Sequence, residues 1–227
     1  MDTLFPFPAK TWSKTLSHHD QPVLNISVQQ PDFPDSKKAA RIQRYFNHVI
    51  QLWITRWREQ LYPAQCDILD QASEHGSTFH PLHVELNYIV TYWNNPIFSV
   101  RLDVTESRPG TRPQLFCMGE TWDLSTGYPL PLRSFFPKKS GNWRKIILAS
   151  LKNQADQQIK SGESLLDPDC CQIIERTFDP NRYYLTNNGI AIFFPLYFLG
   201  PYAEGIPVFV IPFPNQTLIQ TDSEPHP

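Results

Sequence analysis

The stretch RYYLTNNGIAIFFPLYFLGPYAEGIPVFVIPF, residues 182–213, reads as a hairpin, a turn and a final strand in unbroken succession. Tyr183, Tyr184 and Leu185 lead into Asn187-Asn188-Gly189, and Ile190, Ala191, Ile192, Phe193 and Phe194 lead out. Asn and Gly supply the positive φ that tight hairpin turns need, so two antiparallel strands meet here. Residues 190–194 are apolar at every position, which predicts a strand covered on both faces near the middle of a sheet. Pro195 ends it, Gly200-Pro201 and Gly205 mark a turn, and residues 206–213 resume an extended run that carries Pro207 and Pro212. Proline donates no ladder hydrogen bond, so this last strand belongs at an edge or bends at its prolines.

Upstream, Leu24, Ile26 and Val28 alternate with Asn25 and Ser27, which predicts a short strand with one apolar face over residues 23–29. After Pro31-Asp32-Phe33-Pro34, Asp35 or Ser36 can cap a helix over residues 37–62, in which Ile42, Phe46, Val49, Trp53, Trp57 and Leu61 recur at helical spacing. Pro63 is expected to stop that helix and to open a second, short one through Asp70. From Leu82 the period changes to two. Leu82, Val84, Leu86, Tyr88, Val90 and Tyr92 share one strand face, and Phe98, Val100, Leu102 and Val104 share a face of the next. Turns at residues 94–96, 108–113 and 125–127 make this an antiparallel meander, with a three-residue first loop pairing Trp93 with Ile97. A second long helix starts after Asn142, buries Trp143, Ile146, Ile147, Leu151, Ala155 and Ile159, and ends at Gly162. Residues 163–179 are the least legible, with one helical turn expected around Cys171–Glu175.

The expected architecture is therefore α+β, an antiparallel sheet of meander plus C-terminal hairpin packed by two long helices. Residues 22–213 are expected to form one unit, with parts at 22–80 and 81–213, between a disordered lead (1–21) and a disordered tail (214–227). A chain of 227 residues is long enough to bury a core without metal or disulfide staples. Twenty basic against 22 acidic residues, a formal net charge of −2, argue against broad nucleic-acid binding or attraction to anionic membranes. No run approaches the roughly 20 apolar residues of a membrane span. Residues 1–16 have no basic n-region or continuous apolar core, which predicts a cytoplasmic product; a misassigned start would instead place it in the cell envelope. The four cysteines, Cys66, Cys117, Cys170 and Cys171, do not follow a disulfide framework and are expected to be reduced thiols.

Candidate chemistry is sparse. His75, His80 and His83 with Cys66 upstream match no zinc spacing, and Asp167, Asp169 and Cys170 read as an acidic loop, so no metal and no cofactor is expected. The nucleophile elbow, phosphate loop, dinucleotide fingerprint and His-Glu-x-x-His helix are missing. Arg41, Arg44, Arg56 and Arg58 accompany tryptophans that share the apolar helical face, so they read as a solvated face, not a nucleic-acid stripe. What remains is the aromatic turn. Tyr197, Pro201, Tyr202 and Glu204 are the candidate binding residues, because exposed aromatics bury large area at low entropy cost. Glu204 alone lacks the second tuned group that acid–base catalysis needs.

Tyr183-Tyr184-Leu185-Thr186 through Gly189, then Phe194, Tyr197, Pro201-Tyr202-Ala203, Gly205 and Ile211-Pro212 resemble the DUF3298 family. Trp122-Asp123-Leu124-Ser125-Thr126-Gly127 with Leu130, Leu132, Phe135 and Phe136 is similar to that family's strand, turn and short helix, and residues 23–47 look like its usual companion, DUF4163. The resemblance implies an α+β fold of bacterial envelope proteins, among them the extracytoplasmic part of a lysozyme-binding anti-sigma factor and a module attached to a peptidoglycan deacetylase. The module itself is not catalytic there. This chain departs from relatives that carry Gly-Gly-Ala-His after the second meander strand, since it has Arg108-Pro109-Gly110-Thr111-Arg112-Pro113, and no lysozyme-contact residue is carried over. The implied role is a non-catalytic binding or sensing module for a protein or glycan partner. The alternative is a hydrolase or metal-dependent enzyme acting on a cell-wall-related substrate.

Overall fold

In the computed structural model, which describes residues 8–33, 36–137 and 141–213, the hydrophobic periodicities resolve into nine strands and four α-helices among those residues. The chain divides into two compact units. The first takes residues up to Ile89, Leu102–Cys117 and Ser125–Tyr128, and the second takes Val90–Arg101, Met118–Leu124 and the chain from Pro129 onward. The boundary between these units cuts across strands. The tail 214–227 and residues 1–7 of the expected lead lie outside the described residues.

The lead contains a strand, contrary to the expectation of disorder. β1 (Ala9–His18) pairs antiparallel with β2 (Gln21–Pro31), with an irregularity between Leu16 and Ser17. β1 carries only Trp12 and Leu16 as widely spaced apolar contacts, so its sequence shows almost no period, and pairing with the strongly patterned β2 decides its conformation. Ser36 caps α1 (Lys37–Arg56), accepting a hydrogen bond from the Ala39 N–H at 3.1 Å. The buried stripe runs through Ala39, Ile42, Phe46, Ile50 and Ile54, while Val49 and Trp53 are only half-buried.

Pro63 does not stop the helical chain. A π turn over Trp57–Leu61 leads directly into α2 (Tyr62–Glu74), and the Tyr62 N–H reaches back to the Trp57 carbonyl. Widening the helix by one residue relieves the clash between a proline ring and the preceding turn, so Pro63 sits in the first turn of α2 without a break. Glu106 is buried here, with the Arg56 guanidinium donating to both its oxygens (3.2 and 3.1 Å) and the Trp57 indole N–H donating at 3.1 Å. The long helical crossover returns the chain beside β2, so β3 (Leu82–Asn94) pairs with β2 in parallel, Leu24 opposite Leu82 and Val28 opposite Leu86. The expected all-antiparallel sheet is therefore mixed at this pair.

β4 (Ile97–Ser107), β5 (Gln114–Asp123) and β6 (Tyr128–Pro129) complete a six-stranded sheet in chain order. Two residues, Asn95 and Pro96, lie between β3 and β4 instead of three, and their peptide bond is cis. Leu102 and Val104 are buried in the first unit, as their alternation predicts. In the second unit the start of β4 is covered on both faces. Ser99, on the opposite parity, is fully buried, bonds to Thr121 Oγ1 at 2.8 Å and accepts from the Leu185 N–H at 2.9 Å.

The C-terminal hairpin forms a sheet of its own. β7 (Tyr183–Thr186), β8 (Gly189–Phe193) and β9 (Val208–Ile211) are antiparallel with β8 central and buried at every residue, as its unbroken apolar run predicts. β9 is an edge strand between Pro207 and Pro212. α3 (Trp143–Ser161) buries Ile147, Leu151 and Ala155 and ends at Gly162 in the left-handed conformation, but Ile146, expected inside, is exposed. α4 (Cys170–Thr177) contributes Cys170 and Ile174 to the same core, with Phe194, Leu199 and Phe209. Gly119 is required where β5 meets β7: a Cβ there would lie 2.0 Å from the Tyr183 carbonyl oxygen.

Candidate functional site

The turn after β8 is anchored by Leu196 and Leu199, both buried, which leaves Tyr197 and Phe198 facing outward. Tyr197 has φ of +68°, a conformation that costs a side chain with a Cβ about 1–2 kcal/mol. Its ring is 51% exposed and lies 5.9 Å from the ring of Tyr202 at a tilt of 45°. Tyr202–Glu204 form one 3-10 turn opened by Pro201, whose carbonyl accepts from the Glu204 N–H at 3.0 Å. Pro201 is exposed and Tyr202 half-buried, so Tyr197, Pro201 and Tyr202, three of the four candidate residues, form one aromatic corner. Arg182 sits over the Phe198 ring at 5.4 Å.

Glu204 faces a different neighbourhood. Its carboxylate accepts the Leu165 backbone N–H, which ties the turn to the chain leaving α3. Gly200 permits that approach, because a Cβ there would lie 2.7 Å from the Leu165 carbonyl oxygen. Beside Glu204 opens a cleft of about 290 Å³ lined by Gln158, Glu163, Ser164, Glu204, Ile206, Pro207 and Val208. The lining includes two carboxylates and no basic residue, so it suits neutral or cationic ligands and repels phosphates and carboxylates. The Ser164 hydroxyl is buried in it without a hydrogen-bond partner. α3 lies along edge strand β9, and the Gln154 amide donates to the Val210 carbonyl at 3.1 Å; Gln158, one turn further on, lines the cleft with Val208.

Residues 135–214 match the DUF3298 family model. That family is described as a protein of unknown function. The DUF3298 match takes in the aromatic corner and the whole cleft lining. Two solved structures are similar to the chain. One is a member of the DUF3298 family from Bacteroides fragilis, at 14% identity and a TM-score of 0.62 over 91% of this chain and 90% of that one. The other is a DUF3298 family protein from Pseudomonas aeruginosa, at 16% identity and a TM-score of 0.56 over 92% of this chain and 89% of that one. At such identities the likeness is one of fold. A sequence comparison with curated proteins finds no match.

The remaining candidates from the sequence stay apart. His75 caps α2 and bonds to the Gln71 carbonyl through Nδ1 at 2.7 Å, His80 is exposed before β3, and His83 is exposed on it. None of the four cysteines is in a disulfide. Burial, and then a hydrogen bond from its thiol to Asp156 at 3.1 Å, pushes the Cys171 pKa up to about 12, and burial raises that of Cys170 as well. Both are thiols, not thiolates, at neutral pH, which removes the nucleophilic form that redox exchange needs. Arg41 lies over the Tyr128 ring at 4.0 Å and Arg56 is held by Glu106, so these cations do not form a free stripe. No helix among the described residues is long and apolar enough to cross a membrane. Sequence reading missed Gln158, Glu163 and Ser164, because they surround the end of α3 in the stretch with the weakest local signal, and only Gly162 marked that a loop begins there.

Proposed function

We propose that this chain is a non-catalytic binding module that recognises a glycan through the Tyr197–Tyr202 corner and the adjoining cleft. The observation that carries the reading is the exposed Tyr197, held at a left-handed φ against Tyr202 although glycine would adopt that φ without strain. A tyrosine pair offers a face on which a sugar ring stacks, and Gln158, Glu163 and Glu204 offer the hydrogen-bonding groups that orient its hydroxyls. The absence of a lining cation favours a neutral saccharide over a phosphorylated one. The resemblance of residues 23–47 to DUF4163, read from the sequence alone, makes a cell-wall glycan the class to try first.

The non-catalytic reading is supported by the duty of Glu204, whose carboxylate is engaged by a backbone N–H as a tether. The competing hydrolase reading draws on Glu163 and Glu204 lining one cleft, since paired carboxylates cleave glycosidic bonds. Calorimetric titration of the purified protein with chito-oligosaccharides and soluble peptidoglycan fragments separates the two. Binding lost in Tyr197→Ala and Tyr202→Ala, with the sugar recovered intact, is expected. Turnover of the sugar overturns the non-catalytic reading, and capture of a protein with no glycan affinity overturns the choice of ligand.

A further inference from the structure

A second set of residues, in the first unit and independent of the glycan cleft, has the composition of a metal site. β1 and β2 are joined by only two residues, His19 and Asp20, with φ of +48° and +61°. This is the backbone of the tight hairpin turn that Asn-Gly usually fills, here occupied by residues that pay for it in strain. The twist has a consequence for the side chains. Successive residues of a strand point to opposite faces, but His19 leaves the strand, so its ring turns back to within 3.9 Å of the His18 ring, centroid to centroid. Both imidazoles then meet one carboxylate from a distant part of the chain. His18 Nε2 lies 3.2 Å from Asp70 Oδ2, and His19 Nε2 lies 3.6 Å from Asp70 Oδ1.

Asp70 is not there by chance of a mobile side chain on a loose element. Tyr62, Cys66 and Asp70 follow at i, i+4 and i+8 on α2, and the Tyr62 hydroxyl donates to the Ser17 carbonyl at 2.8 Å, so this face of α2 is fastened to the end of the hairpin. One ligand atom from each of His18, His19 and Asp70 lies within 4.8 Å of the others. In a tetrahedral zinc site with bonds of about 2.0–2.2 Å, neighbouring ligand atoms stand about 3.4 Å apart, so either carboxylate oxygen already stands at that distance from one imidazole, and the remaining separations close by up to about 1.4 Å. The side chains are 27%, 71% and 48% exposed in the order His18, His19, Asp70, which leaves a way in for the ion.

We propose that His18, His19 and Asp70 bind one divalent transition-metal ion, zinc above all, with two imidazole nitrogens and one carboxylate oxygen as ligands and a fourth position open to water. Two nitrogens and one oxygen favour zinc, copper or nickel over calcium and magnesium, which prefer all-oxygen shells. An imidazole ligates through an unprotonated nitrogen, so binding through Nε2 leaves any ring proton on Nδ1. The bound ion would pin the hairpin end to α2.

The test is titration of the full-length protein, free of any histidine tag, with zinc against a chromophoric chelator. One equivalent binding with a Kd in the micromolar range or tighter is expected, weakened at least tenfold in each of His18→Ala, His19→Ala and Asp70→Asn, with the far-UV spectrum unchanged. Cobalt substitution adds a readout that does not depend on the variants: d–d bands without a thiolate charge-transfer band are expected. Failure to bind below millimolar zinc, binding undiminished in the His18→Ala/His19→Ala double variant, or a thiolate band that points to Cys66 each overturns the assignment. None of these results bears on glycan binding at the Tyr197–Tyr202 corner, whose variants leave the metal ligands intact.

Discussion

Replacing Tyr197 with glycine separates an architectural tyrosine from one that is displayed. At φ of +68° the wild-type residue carries a backbone cost of about 1–2 kcal/mol, which glycine does not. Against that gain, glycine costs about 0.5–1 kcal/mol through the freer unfolded chain. The Tyr197–Tyr202 ring pair, half in solvent, contributes about 0.5 kcal/mol, the lower end for aromatic pairs. These terms nearly cancel, so Tyr197→Gly should change unfolding free energy by less than about 1 kcal/mol. Tyr197→Ala keeps the strained φ and loses the ring, and should be about 1 kcal/mol less stable than Tyr197→Gly. Urea unfolding of the three proteins, compared at equal m-value, measures this directly. If Tyr197→Gly loses 2 kcal/mol or more, the ring is a structural prop. If it keeps full saccharide affinity, the strain serves no recognition, and the proposed site is wrong.

Three other perturbations probe the framework around the two sites. Arg56→Ala leaves the buried Glu106 carboxylate without its charge partner, with the neutral Trp57 indole N–H still donating to it, and should cost about 2–3 kcal/mol in urea unfolding, less than a fully buried pair because Arg56 is 38% exposed. A loss under about 0.5 kcal/mol would show that water reaches Glu106. Cys171, with its pKa pushed up to about 12, has a thiolate only as the pH climbs toward that value, so iodoacetamide at pH 8 should label it about a thousandfold more slowly than an ordinary exposed cysteine. Asp156→Asn should speed labelling, and an unchanged rate would remove Asp156 as a contributor. Gly119→Ala drives a methyl group into the Tyr183 backbone and should destabilise by at least about 2 kcal/mol, read as a lowered Tm; an unchanged Tm would mean that β5 and β7 separate freely.

How far the sequence could be read depended on whether a segment's partners were near it. β8 was legible because five consecutive apolar residues have one satisfactory environment, a covered central strand, and the Asn-Asn-Gly turn sets its partner two residues away. α1 was legible from its period and its Ser36 cap, yet Pro63 misled, since a π turn absorbs the proline at no cost that local sequence displays. β1 was invisible for the opposite reason, being a polar edge strand that owes its conformation to β2.

The two sites divide along the same line. The sequence by itself determined the α+β class, the C-terminal hairpin and its edge strand, and the aromatic turn bearing Tyr197, Pro201, Tyr202 and Glu204, because propensity, period and turn chemistry act over a few residues. Only the tertiary structure decided that Gln158, Glu163 and Ser164 face Glu204, and that Asp70 stands beside His18 and His19 across 52 and 51 positions of chain. A carboxylate and an imidazole that far apart leave no mark on each other's local sequence. Their meeting depends on a hairpin twist and on a helix held to its end by the Tyr62 hydroxyl.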